Sequence, residues 1–228
     1  MGFSPVQYQT LIDKIEHGIA DVESALNHAV ATISADTSWI PGVGQAIGAL
    51  LDKLVSLVQE FLREIVQLLK PFKVPLIMDQ YGASWLSVHQ QAGGVASAIE
   101  SQVLLHDKDT WQGLAGGAYD QSIGLQAPAA NTISSLANTT SGTCTAIRNF
   151  GYGFYIAVGV VVVGLIIALI TIETVVGAIA AGLAALLAVG AALAALHFGI
   201  DAQTRNLQGE IAPNSTFPGG NWPPATTS

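Results

Sequence analysis

The residues able to do acid–base, nucleophilic or metal chemistry are few and poorly spaced for it. The five histidines are His17, His28, His89, His106 and His197. No two stand four apart, and no His-Glu-x-x-His run occurs, so a helical zinc site is not expected. Cys144 is the single cysteine, which excludes both an internal disulfide and a thiolate cluster. Asp107 and Asp109 flank Lys108 in a stretch that reads as a solvated turn. No serine lies in a Gly-x-Ser-x-Gly elbow. Gly42-Val43-Gly44 has neither a preceding strand nor a following Gly-Lys-Ser/Thr, so it reads as a turn and helix start rather than a phosphate loop. These patterns lead to no catalytic residue, no cofactor and no metal, and the chain is expected not to be an enzyme.

One carboxylate is out of the ordinary. From Gly151 to Ile200 the sole formal charge is Glu173, in a chain of 228 residues that is 50% hydrophobic and only 11% charged. Soluble domains usually carry about 25% charged residues. A carboxylate inside apolar sequence is costly unless it is hydrated or functional. A single helix over residues 152–200 would rise about 74 Å against a bilayer core of about 30 Å. Two arms, Phe154–Ile170 and Val175–Phe198, fit instead, with the tip near Thr171–Thr174 and Glu173 in water or among headgroups. Gly177, Gly182 and Gly190 are expected to give the returning arm a small-residue face for close packing.

The elements before this segment are amphipathic. Ile12, Ile15, Ile19, Val22, Leu26, Ala29 and Ile33 step by three and four, one face of a helix that starts at Ser4-Pro5. The run Asp36 to Gly44 breaks it. Leu50, Leu54, Leu57, Phe61, Ile65 and Leu68 form the next stripe, which Pro71 ends, and Pro75 is expected to keep the following residues extended. A second hairpin is expected over 81–108 and 114–149. Its first arm turns Trp85, Val88, Ala92, Val95, Ile99 and Val103 inward, and its second arm Leu114, Ala118, Leu125, Ala129, Ile133, Leu136 and Ile147. Pro128 and the Ser/Thr/Asn/Gly-rich residues 131–145 predict bending or fraying there.

The fold class expected is therefore all-α: stacked antiparallel helical hairpins, a helical bundle, with a C-terminal hydrophobic hairpin. The divisions are 1–75, 76–150, 151–200 and a polar tail, 201–228, that reads as disordered.

Between the arms of the second hairpin stands Trp111-Gln112-Gly113, followed by Ala115-Gly116-Gly117-Ala118 and Tyr119. Glycine permits a tight reversal, and tryptophan can cap the apolar seam between two arms. Over about residues 81–150 this resembles the WXG-motif helical-hairpin family of type VII (ESX) secretion proteins. The resemblance implies a non-enzymatic partner-binding protein tied to that export route, with Trp111, Gly113 and Tyr119 at the motif turn. The chain departs from the family's export signal, Tyr-x-x-x-Asp/Glu: Tyr8 is followed at that distance by Ile12, and Tyr119 by Ile123.

A net charge of −8, with eight scattered Lys and Arg, excludes nucleic acid as an expected partner. The expected partners are membrane lipid and a helical protein or a second copy of the chain. The expected location is the cell membrane, or outside the cell by a route that needs no signal peptide, since Met1–Val6 lacks a basic segment followed by an apolar one. Two function classes stay open: a type VII secretion-associated partner binder at a membrane, and a membrane-inserting or pore-forming effector whose apolar hairpin is hidden until use, as in the colicins.

Overall fold

The computed structural model describes residues 4–37, 44–105, 113–171, 175–211 and 221–222. The fold is all-α, and among the described residues there is no strand. Five helices follow in order: α1 (Pro5–Thr37), α2 (Gly44–Leu69), α3 (Val74–Leu105), α4 (Leu114–Thr171) and α5 (Val175–Ile211). The chain forms two compact units. One comprises residues 1–76 and 148–200, the other residues 77–147 and 201–228.

The first unit is a helical bundle of α1, α2, the end of α4 and the start of α5. Ser4 caps α1: its carbonyl accepts the Tyr8 amide at 2.9 Å, and Pro5 occupies the first turn, where a missing N–H costs nothing. The expected α1 stripe is buried at Ile12, Ile15, Val22, Leu26, Ala29 and Ile33. Tyr8, one step earlier in the same spacing, is fully buried as well. From α2 come Leu54, Val58, Phe61 and Ile65, and from α4 Val158, Val162, Leu165 and Leu169, all in one core with Ala185 and Val189 of α5. α4 ends at Thr171 and α5 begins at Val175, so the apolar segment is two helices. Glu173 lies outside the described residues.

Three glycines set the closest approaches in this bundle. A Cβ at Gly18 would lie 2.7 Å from Val162 Cγ1, one at Gly151 would lie 2.8 Å from Pro75 Cγ, and one at Gly199 about 3.0 Å from the Phe150 ring. Of the glycines expected to do this, Gly182 is buried and Gly177 and Gly190 are exposed; an added Cβ at Gly182 or Gly190 meets nothing within 4 Å. The arms of the apolar hairpin close at their base, Phe150 against Gly199.

The second unit contains the α3–α4 hairpin. Several expectations are corrected here. Pro75 is not in extended chain; it sits in the first turn of α3, which begins at Val74 rather than near residue 81. α4 does not end near residue 149 but runs unbroken for 58 residues, through Pro128 and through 131–145. The tail is helical as far as Ile211. Trp85, Val88 and Val95 face outward, as do Leu114 and Leu125. Ala129 is buried as expected, and the other buried positions are small too, among them Gly82 and Ala96 on α3 and Ser122, Ala127, Ala130, Ser134, Ala137, Thr143 and Cys144 on α4.

Two glycine substitutions separate the packing term from the helix term. Gly18→Ala is expected to lower bundle stability by about 1–3 kcal/mol, because the stiff Val162 cannot rotate clear. Gly48→Ala meets nothing within 4 Å and is expected to raise stability by about 0.5–1 kcal/mol. Denaturant unfolding of both variants checks the pair.

Candidate functional site

The base of the bundle is an aromatic clasp. A helix C-terminus leaves its last carbonyls without intrahelical partners, and α2 ends in the turn Lys70–Lys73. Tyr155 donates its hydroxyl to Leu68 O at 2.9 Å, and Tyr8 donates to Phe72 O at 2.5 Å. The Tyr8 ring meets Tyr152 and Tyr155 edge-on, with centroids 5.9 and 5.7 Å away, the geometry that aromatic quadrupoles favour. Burial, and then the neighbouring Tyr155, push the Tyr8 hydroxyl well above the ordinary tyrosine range. The clasp ties the starts of α1 and of α4's apolar stretch to the end of α2.

From that base α4 presents two different faces. Val158, Val162, Leu165 and Leu169 turn into the bundle, whereas Ile156, Val160, Val163, Ile167 and Ile170 turn out. The outward set steps by four and three, a continuous stripe. Val160 is 67% exposed and Ile170 is 61% exposed. On α5, Leu183, Leu187, Leu193 and Phe198 are likewise exposed. A contiguous apolar surface of this extent marks a membrane or protein contact rather than a water-facing wall. Phe150–Thr171 rises about 33 Å and Val175–Ile200 about 39 Å, and the two helices are long and apolar enough to cross a membrane. α1 carries Asp13, Lys14, Glu16, Asp21 and Glu23 on its own outer side. The hairpin is thus covered on one face by amphipathic helices and bare on the other.

In the second unit the α3–α4 seam is polar and small. Ser141 Oγ donates to Gly82 O at 2.8 Å, and Ser134 Oγ donates to His89 O at 3.0 Å. His89 Nδ1 lies 2.9 Å from Ser134 O and 2.8 Å from Ser134 Oγ. Because that hydroxyl proton is directed at His89 O, the network assigns the ring proton to Nδ1, donating to the Ser134 carbonyl. Gly82 and His89 are seven apart, as are Ser134 and Ser141, with the order reversed between helices. The seam is an antiparallel heptad repeat. Seven residues further along, Ala96 and Ala127 are both buried. Only small side chains let the backbones come close enough for a serine to reach a main-chain carbonyl across the seam. Cys144 packs beside Gly82, and burial pushes its thiol upward, against a smaller lowering by its backbone hydrogen bond. It is a packing residue rather than a nucleophile.

Of the motif residues, Trp111 lies outside the described residues. Gly113 has φ +101°, which side chains rarely adopt, and its carbonyl accepts the Gly117 amide at 3.1 Å. It is the capping glycine from which α4 departs. Tyr119 is half-buried on α4's second turn. The structure gathers none of the histidines or carboxylates into a cluster: among the described residues no three metal-capable side chains converge. Sequence reasoning missed Tyr8, Tyr155, His89, Ser134 and Ser141. Tyr8 was within reach, standing four before Ile12. The serines were not, since a polar residue on a helix reads as solvated until its partner is known.

Comparison with family models, with curated proteins and with solved structures finds no match to this chain.

The clasp has a pH signature. Tyr8 ionises less readily folded than unfolded, so its contribution is complete below the unfolded value near 10 and is lost as pH rises beyond it. Wild-type stability is expected to fall above about pH 10. Tyr8→Phe is expected to start about 1 kcal/mol lower at neutral pH and to lose less on the alkaline side. Unfolding midpoints from pH 7 to 11 check this.

Proposed function

We propose that this protein is a non-enzymatic membrane-associated module whose apolar hairpin, residues 148–200, meets lipid with its bare face while α1 and α2 cover the other. The observation that carries the reading is the outward stripe Ile156, Val160, Val163, Ile167 and Ile170, on a helix long enough to span. A colicin-like hidden hairpin requires both faces to be enclosed. Here one is open, which favours standing membrane association over release on demand.

The same protein binds a helical partner through α3. Tyr81, Trp85, Val88 and Val95 are exposed and, with the half-buried Ala92, follow four–three spacing along one outer edge. A partner helix laying its own apolar face there would complete a coiled-coil-like contact. The Trp111-Gln112-Gly113 hairpin resemblance makes a type VII secretion partner the natural occupant, and a second copy of the chain is the other.

Val160→Lys with Ile167→Lys tests the lipid contact. Each lysine near a bilayer centre costs about 2.5–3.5 kcal/mol, so the pair is expected to lower vesicle partitioning by more than about a hundredfold. Glu23→Lys, on α1's water-facing side, is expected to leave it unchanged. Equal partitioning of the double variant and wild type in flotation with sealed vesicles would overturn the reading.

A further inference from the structure

The outward stripe of α4 forms one wall of a groove. The other wall is α1, which runs in the same direction: Leu11 lies beside Gly159, and Gly18 beside Val162. At the clasp end is a cleft of about 320 Å³ between Leu11 and Ile15 on one side and Ile156, Val160 and Val163 on the other, with Lys14 at its rim. Farther along the same two helices, a second hollow of about 470 Å³ is bounded by Ala25, Ile166 and Ile170 and rimmed by Asp21 and His28. From Ile156 to Ile170 the groove is about 21 Å long.

Its charges have a direction. Lys14, Asp21 and His28 are spaced by sevens and so share one side of α1. Lys14 makes no ion pair or hydrogen bond among the described residues. The cationic end of the groove is therefore next to the aromatic clasp, and the acidic position is at the far hollow, beside Ile166 and Ile170.

We propose that this groove seats one acyl chain of an anionic phospholipid, with the headgroup phosphate on Lys14 and the chain running toward Ile170. The walls at the clasp end are apolar apart from Lys14 and suit a hydrocarbon chain, whereas Asp21, Ser24 and His28 edge the far hollow beside Ile166 and Ile170. A compact ammonium at one end suits a phosphate as a point charge. Asp21 disfavours the reversed orientation, in which the phosphate would pass a carboxylate. The half-buried Tyr152 also lies at the Lys14 end, and tyrosine favours the membrane interface where headgroups sit. A helix from a second copy fits less well: its apolar face would leave Lys14 unmatched. The inference rests on the membrane reading for its source of lipid but not for the groove itself.

The test uses the full chain in mild detergent with dioleoyl phosphatidylglycerol or dioleoyl phosphatidylcholine, with retained lipid counted by native mass spectrometry. Wild type is expected to keep one phosphatidylglycerol in preference to phosphatidylcholine by roughly tenfold, the scale of one charge-assisted hydrogen bond. Lys14→Gln is expected to lose the preference while still retaining lipid. Val160→Trp, filling the cleft from an exposed position without adding polarity, is expected to retain neither. Vesicle flotation of Lys14→Gln is expected to be unchanged. Equal retention of both lipids by wild type, or a preference that survives Lys14→Gln, would overturn the proposal, as would retention of free oleate with no phosphatidylglycerol. Flotation with no retained lipid refutes the groove and leaves the membrane reading standing. Retained phosphatidylglycerol with no flotation does the reverse.

Discussion

Apolar side chains leave water only where something covers them, and residues 151–200 present more such surface than the rest of the chain supplies cover for. Over that stretch the only formal charge is Glu173. Two amphipathic helices, α1 and α2, bury the side of α4 that carries Val158, Val162, Leu165 and Leu169. The remaining long helix, α3, pairs through small residues with the polar half of α4 and buries little apolar area of its own. The outward stripe on α4 and the leucines of α5 are what is left over. A bundle this small leaves part of two spanning-length apolar helices uncovered, and under the proposed function lipid receives them.

Much of this was legible in the residues. The three–four spacing of Ile12, Ile15, Val22 and Leu26, and of Leu54, Phe61 and Ile65, marks the helices and their buried sides, and the division of the apolar segment into α4 and α5 follows from length against charge. Periodicity failed on α3 for a physical reason. It identifies which face is apolar, not which face is covered, and at Trp85, Val88 and Val95 the two differ. The face that is covered carries Gly82, His89 and Ala96, because close backbone approach with serine-to-carbonyl hydrogen bonds outcompetes a looser aromatic contact. Composition also misplaced the end of α4. Side chains change character near residue 150 because the surroundings change there. The helical hydrogen bonds are local and continue regardless.

The polar residues of 131–145, read as helix-weakening, turn out to serve the helix and its neighbour. Thr132 and Thr140 return their hydroxyls to carbonyls one turn back, and Ser134 and Ser141 reach across to α3. One helix therefore meets three kinds of surroundings along its length: a hydrogen-bonded seam, an apolar bundle core and, under the proposed function, hydrocarbon. The tyrosine clasp at Leu68 and Phe72 anchors α2 where the last two begin.

The central claim is that the two faces of α4 between Ile156 and Ile170 have different surroundings, protein on one side and lipid on the other. A nitroxide scan tests it most directly, with single cysteines at each position in a Cys144→Ser background in vesicles. The account predicts that accessibility to oxygen, which concentrates in hydrocarbon, rises and falls with helical period. Maxima should fall at 156, 160, 163, 167 and 170 and minima at 158, 162, 165 and 169, with accessibility to a water-soluble nickel chelate low at every maximum. High chelate accessibility at the outward positions, or oxygen accessibility without period, would contradict it.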